Sequence, residues 1–138
     1  MTAQGADRSK LVVPAPVEQK FVLEHPDARA SWRTEGDHFR AQFINPLNNL
    51  GQVTVYASNG TIIRKEREMD PDEVPGPVNE YLVTRSKGQG FSVWLVTDSA
   101  GTQSYYSPRP EGMVRFDKDG KAVGDKPVRD SLVPASLR

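Results

Sequence analysis

Two stripes of apolar residues, each recurring at every fourth position, bracket runs in which apolar and polar residues alternate. Val13, Val17 and Phe21 make the first stripe; Val74, Val78 and Leu82 make the second. A four-residue spacing marks one face of a helix, so helices are predicted over about 14–24 and 75–84. Pro14 and Pro16 fall in the first turn, where a missing N–H costs little. His25-Pro26 ends that helix, because a residue before proline avoids the α region. Asp70 or Asp72 is placed to cap the second. Between and after the helices the period falls to two. Phe39, Ala41 and Phe43 alternate with His38, Arg40 and Gln42, the mark of a half-buried strand. Further strands are predicted at 30–34, 52–57, 61–66, 91–97, 102–107, 113–117 and 121–123, with loops at 45–49, 86–90 and 108–112. Asn59-Gly60 and Asp119-Gly120 predict tight hairpins of type I′, with positive φ at both central residues.

The pattern occurs twice. Val13-Pro14-Ala15-Pro16-Val17 returns as Val74-Pro75-Gly76-Pro77-Val78, 61 residues on. Tyr56-Ala57-Ser58-Asn59-Gly60 returns as Phe116-Asp117-Lys118-Asp119-Gly120, 60 residues on. Nearly equal offsets argue for a tandem repeat. A unit of about sixty residues buries only roughly 60% of its unfolded surface. The expected fold is therefore α+β: tandem units of a helix plus an antiparallel meander, sharing one antiparallel sheet with two helices packed on one face. The expected divisions are a flexible lead-in at 1–11, a first unit at 12–69, a second at 70–123 and a polar tail at 124–138. Leu132-Val133-Pro134-Ala135 in that tail resembles the start of a third unit, although chance explains so short a match. One strand leaves its facing open. Thr54 and Tyr56 share a phase with Val114 and Phe116, yet the opposite phase would bury Val53 and Val55.

Charge is balanced, with 18 Lys and Arg against 18 Asp and Glu. That argues against nucleic acid, which rewards a concentrated basic patch. Arg64-Lys65-Glu66-Arg67-Glu68 mixes signs and reads as a solvated strand or edge. The absence of cysteine excludes disulfides, thiolate metal sites and a cysteine nucleophile. No run approaches the roughly 18 apolar residues of a membrane span, and no signal-peptide core is visible. The start at Met1 fits either a cytoplasmic chain or a mature exported one given a starter methionine.

The Val-Pro-x-x-Val helix start, Phe21, the His25-Pro26-Asp27-Ala28 helix end and the Trp32 strand occur together. With the Phe39-x-Ala41-x-Phe43 strand and the Asn-Gly and Asp-Gly hairpins, this order resembles the PepSY-like family of β-lactamase-inhibitor-like proteins. The resemblance spans about residues 12–123. The second unit departs from it where Arg85-Ser86-Lys87-Gly88 replaces the Pro-Asp helix end. The resemblance implies an exported bacterial protein, periplasmic or secreted, with helices on one face of an antiparallel sheet. It implies no catalytic residues and no cofactor. Related folds include a protein inhibitor of β-lactamases, which uses an open sheet face, and the PepSY regions of protease propeptides.

Templates for chemistry fail one by one. Asp117-Lys118-Asp119-Gly120 suggests a calcium loop, but aligning Gly120 with the invariant glycine puts Arg115 at the first ligand position and Lys126 at the last. A hairpin turn is the simpler account. His25 and His38 are the two histidines, one at a helix end and one on a polar strand face, too few for zinc without nearby ligands. A surface or capping role is expected for both. No nucleophile elbow is present. Asp70-Pro71-Asp72-Glu73 clusters carboxylates just before a helix, where they complement its dipole. Asn59-Gly60-Thr61 matches a glycosylation sequon but is explained by the turn. Gly88-Gln89-Gly90 lacks the lysine of a phosphate loop. No catalytic, cofactor or metal residues are assigned, and the chain is not expected to be an enzyme.

The aromatic residues remain. Trp32, Tyr56, Trp94, Tyr105 and Tyr106 fall on predicted strands, and the adjacent tyrosines must point to opposite faces. Aromatics with arginine on an open sheet face can anchor a partner. The candidate contact residues are Trp32, Arg33, Arg40, Trp94, Tyr105 and Tyr106, for a protein or peptide partner. The competing account is that both tryptophans close the core or cover a sheet edge. A regulator or inhibitor of a secreted hydrolase is the alternative role.

Overall fold

The computed structural model describes residues 11–123. The lead-in, the tail and the suggested third repeat lie outside the described residues. Two helices and an antiparallel sheet of eight strands in chain order make up an α+β fold. The chain divides into two compact units after Glu66.

In the first unit, helix α1 (Ala15–Glu24) precedes strands β1 (Ser31–Glu35), β2 (His38–Ile44), β3 (Gly51–Tyr56) and β4 (Ile62–Glu68), the last running on past Glu66. The predicted stripe is the buried face of α1: Val17 and Phe21 pack with Ala41, Phe43 and Tyr56. Leu23, off the stripe, is 80% exposed. The helix starts without a side-chain cap, from Pro14. It stops at His25, whose N–H donates to Phe21 O at 2.8 Å. Register places Phe39, Ala41 and Phe43 opposite Tyr56, Thr54 and Gln52, which fixes the helix-side face of β3. Val53 and Val55 then lie on the other face, yet both are buried. The ambiguity in the sequence had a structural source, since β3 is covered on both sides.

The second unit holds a 3₁₀ turn (Pro71–Glu73), helix α2 (Gly76–Ser86) and strands β5 (Trp94–Asp98), β6 (Gln103–Arg109), β7 (Gly112–Phe116) and β8 (Ala122–Val123). Val78 and Leu82 pack with Met69, Val93, Leu95 and Phe116. Four expectations need correction here. Asp70 does not cap α2; it caps the 3₁₀ turn, with Glu73 completing a capping box, and Pro75 occupies the N-cap of α2. The helix runs to Ser86 because Lys87 takes the left-handed conformation (φ 54°) only there, and Val93 is buried outside the strand that begins at Trp94. The loop foreseen at 108–112 is a tight turn, with β6 continuing through Pro108 opposite Met113. Pro108 lies past Tyr106, which pairs with the first residue of β5, so β6 has an open edge there and tolerates a missing N–H.

The hairpins also differ from expectation. At Asn59-Gly60 only the glycine has positive φ, 94°, so the turn is not type I′. Gly60 N donates to Ala57 O at 2.9 Å while Ala57 N donates to Thr61 O at 2.8 Å. This is a three-residue loop in which a left-handed glycine closes a turn as a bulge. Asp117–Lys121 repeats it, as does Asp98–Thr102. The turn glycines also touch the helix starts. A Cβ on Gly60 would sit 3.0 Å from the Pro16 carbonyl oxygen, and one on Gly120 would sit 3.3 Å from Pro77 and Val78 side-chain atoms. Gly60→Ala is therefore expected to cost about 1–2 kcal/mol in backbone conformation alone, and more through the clash. Gly36 has positive φ with nothing near its absent Cβ, so Gly36→Ala is the control for the conformational part. Equal losses for the two in urea melts would show that the helix contact contributes nothing.

Candidate functional site

Register sorts the candidate residues between the helix-side faces and the faces away from the helices. In the second unit Leu95, Tyr105 and Phe116 lie side by side across β5, β6 and β7 and face the helix core. The neighbouring row, Trp94, Tyr106, Arg115 and Val123, therefore faces away across β5 to β8. Trp94 and Tyr106 stack with centroids 6.0 Å apart and planes within 10°. The adjacent tyrosines do point oppositely, Tyr105 into the core and Tyr106 out of it. Arg115, which is not among the candidate contact residues, belongs to the outward row. Its signal was available, since it immediately precedes Phe116, whose inward phase was legible.

In the first unit Trp32 is opposite Ala41 and packs on the helix core, edge-on to Phe21 at 5.5 Å. The structure thus separates Trp32 and Tyr105, which pack against cores, from Trp94 and Tyr106, which do not. Arg33 and Arg40 stand directly opposite each other on the face away from α1. Like charges at that spacing repel. Arg40 Nη1 donates to Gln42 Oε1 at 3.1 Å.

The same register puts Glu35 on that face, and Arg64 reaches it although β2 and β3 lie between their strands. Arg64 Nη2 donates to Glu35 Oε1 at 3.0 Å, Nη1 donates to Oε2, and Nε donates to Glu66 Oε2 at 2.8 Å. Glu66 is only 6% exposed. The run 64–68 is therefore not a solvated edge. Its alternating signs build a bridge in which one guanidinium serves two carboxylates. The hydrogen bond from Arg64 holds Glu35 below the ordinary glutamate range, and the same bond raises Arg64.

His25 is not a plain surface cap. Its ring lies 4.5 Å from Phe43 and 5.3 Å from Phe21, and its Nε2 is buried without a hydrogen-bond partner among the described residues. Burial lowers its affinity for a proton; the Glu24 carboxylate works against this and Lys65 reinforces it. The folded state thus releases the proton more readily than the unfolded chain. Stability is full above the ordinary value of 6.5 and falls as pH drops below it, until the folded ring also protonates. His25→Gln is expected to remove the slope of unfolding free energy that sets in as pH falls below 6.5. An unchanged slope would assign it elsewhere. Glu35 acts in a separate, lower window. Its stabilisation is present above 4.5 and is lost as pH falls toward its depressed folded value.

Tyr56 is fully buried, 6.1 Å from Trp32, and its hydroxyl has no hydrogen-bond partner among the described residues. Burial pushes the phenol up to about 12, and Glu24 adds to this. Thr54 opposes weakly, without the geometry of a hydrogen bond. The repeat places Phe116 at the equivalent point. Tyr56→Phe is therefore expected to raise stability by about 1 kcal/mol, by removing a buried unpaired hydroxyl. A loss of that size would reveal a bond to the hydroxyl.

Among the described residues no group of three His, Cys, Asp or Glu side chains could hold a metal ion. Among the described residues no helix is long and apolar enough to cross a membrane.

No family model and no curated protein matches the chain. Solved structures do. One is a protein of Bacteroides eggerthii DSM 20697 described as a candidate periplasmic protein, with a TM-score of 0.62 at 16% identity, covering 82% of this chain and 87% of that one. A DUF2874 family protein from Bacteroides uniformis ATCC 8492 gives 0.62 at 16% identity, covering 81% and 87%. A BLIP-like protein from Bacteroides fragilis NCTC 9343 gives 0.56 at 12% identity, covering 86% and 89%. None of these descriptions names a catalysed reaction. Two helices over an antiparallel sheet of eight strands, in this order and with these relatives in shape, are the PepSY-like fold of the DUF2874 and BLIP-like proteins of Bacteroides.

Proposed function

We propose that the chain is a non-enzymatic binding protein, exported to the periplasm or secreted, built of two PepSY-like units at 12–69 and 70–123. It presents an open sheet face to a protein or peptide partner. One observation carries this reading: the stacked Trp94 and Tyr106 sit on the strand face opposite the second unit's core rather than in it. Aromatic residues in such positions are typical anchors of protein interfaces. Export is supported by the likeness to a protein described as a candidate periplasmic one. The experiment is a pull-down from the source organism's envelope fraction, with wild-type chain and with Trp94→Ala/Tyr106→Ala as baits. A partner held by the first and lost by the second supports the reading; retention by both would remove this face from it.

A second reading, an inhibitor or regulator of a secreted hydrolase, is favoured by the likeness to a structure described as BLIP-like. Dose curves against a panel of β-lactamases and metalloproteases test it. Flat curves throughout would remove it.

A further inference from the structure

We propose that the first unit carries an oxyanion-binding site on its face away from α1, where Arg33 and Arg40 clamp a phosphate-like group bearing two negative charges. This site is separate from the aromatic face of the second unit. Register is the ground for it. Arg33 on the edge strand β1 and Arg40 on β2 are direct cross-strand partners. Their Cβ atoms are therefore about 5 Å apart, and both guanidiniums leave the same face. Like charges at that spacing work against the fold, and an anion held between them turns the repulsion into attraction. The next pair along, Ser31 and Gln42, shares the face. Gln42 Oε1 accepts from Arg40 Nη1 at 3.1 Å, which steadies that guanidinium and leaves the Gln42 amide N–H groups as donors. Two adjacent pairs thus offer two cations, an amide and a hydroxyl, and no carboxylate.

The carboxylates on this face are committed elsewhere. Glu35 lies two residues from Arg33, but both its oxygens accept from Arg64, and Arg40 acts on it through charge alone. Glu66 accepts from Arg64 Nε at 2.8 Å. One guanidinium against two carboxylates leaves that group a single negative charge, beside the two positive charges of the arginine pair. β3 adds only Gly51, Val53 and Val55 to this face, and His38, opposite Glu35, adds no negative charge. Asp37 lies in the turn past Glu35, and Glu68 ends β4 within the second unit. Arg33 is exposed and makes no ion pair or hydrogen bond with any described residue. Arg40 bonds to Gln42 and to no carboxylate among the described residues. The planar fork of arginine meets phosphate oxygens in bidentate geometry. A group with two charges matches two forks, where a lone carboxylate matches one.

The test is thermal unfolding of the full chain near neutral pH and at constant ionic strength, with inorganic phosphate replacing chloride. Phosphate should raise the melting temperature of the wild type progressively, as any ligand of the native state does. Arg33→Gln and Arg40→Gln should each abolish the rise. In chloride alone they should melt no lower than the wild type, because the repulsion goes with the charge. Isothermal titration should show phosphate weakened by about ten- to hundredfold in either variant, the range for a hydrogen bond to a charged group. Arg33→Lys should keep part of the affinity, since lysine binds phosphate as a point charge. Arg33 is exposed, so its variants keep the fold, which circular dichroism verifies. Phenyl phosphate binding as well as inorganic phosphate supports an ester group carried on a larger molecule; binding of inorganic phosphate alone supports the free ion. A rise of equal size in the wild type and both glutamine variants is the general effect of an excluded salt and overturns the site. No rise at all overturns it too. Acetate acting as strongly as phosphate overturns the ligand of two charges.

Discussion

Phe21→Ala is expected to remove about 3–5 kcal/mol of stability, the usual cost of deleting a buried phenylalanine. Phe21 is 5% exposed and is the hub of the first unit's aromatic packing. Its ring meets Phe43 edge-on at 5.1 Å, Trp32 edge-on at 5.5 Å and His25 at 5.3 Å. No neighbour in α1 can fill the space, because Val22 and Leu23 point to solvent. Whole domains are stable by only about 5–15 kcal/mol, so the loss should bring the first unit close to unfolding at 37 °C. Phe21→Leu, which keeps most of the volume, should cost much less. Urea denaturation followed by tryptophan fluorescence measures both. A loss below about 1 kcal/mol for Phe21→Ala would mean that α1 is not anchored through this ring.

Arg64→Met is the second large effect, and it is electrostatic. Removing one partner of a buried pair leaves the other charge without compensation, a cost of about 3–5 kcal/mol when burial is complete. The Arg64 and Glu35 side chains are 27% and 39% exposed and Glu66 only 6%, so most of the penalty falls on Glu66. About 2–3 kcal/mol is expected after that discount. Adding Glu66→Gln should recover part of it, because the buried charge that lost the guanidinium is gone. Glu35→Gln alone should cost under about 1 kcal/mol. The pH profile separates this from lost packing. In Arg64→Met the bond that holds Glu35 below the ordinary glutamate range is gone, so the deficit should narrow as pH falls below 4.5. A deficit independent of pH, with no recovery in the double variant, would assign the effect to the arginine's aliphatic stem.

The helical stripes and the β2 alternation were legible because each element has one buried face, and a single period then records it. Val17, Phe21, Val78 and Leu82 were found this way. The repeat was legible because Pro-x-Pro and Asx-Gly are constrained chemically at both copies. What escaped has identifiable reasons. β3 is buried on both faces, so Val53 and Val55 contradicted Thr54 and Tyr56 with no way to choose. Pro108 reads as a breaker until one knows that β6 has an open edge there. Arg64 and Glu66 look like any solvated run, since the partner Glu35 lies 29 residues away in sequence. For the candidate site, Trp94 and Tyr106 were named alongside Trp32 and Tyr105. The outward phase of the last two strands, anchored on Phe116, could have separated them and would have added Arg115.

The contact between Gly60 and Pro16 bears on how the chain comes to be made. α1 has ten residues and no side-chain cap, and helices that short are marginal by themselves in water. During synthesis α1 leaves the ribosome before the turn that closes over its first residues, which follows 44 positions later. The nascent helix must wait for that turn before it can persist, and the second copy repeats the delay between Pro77 and Gly120.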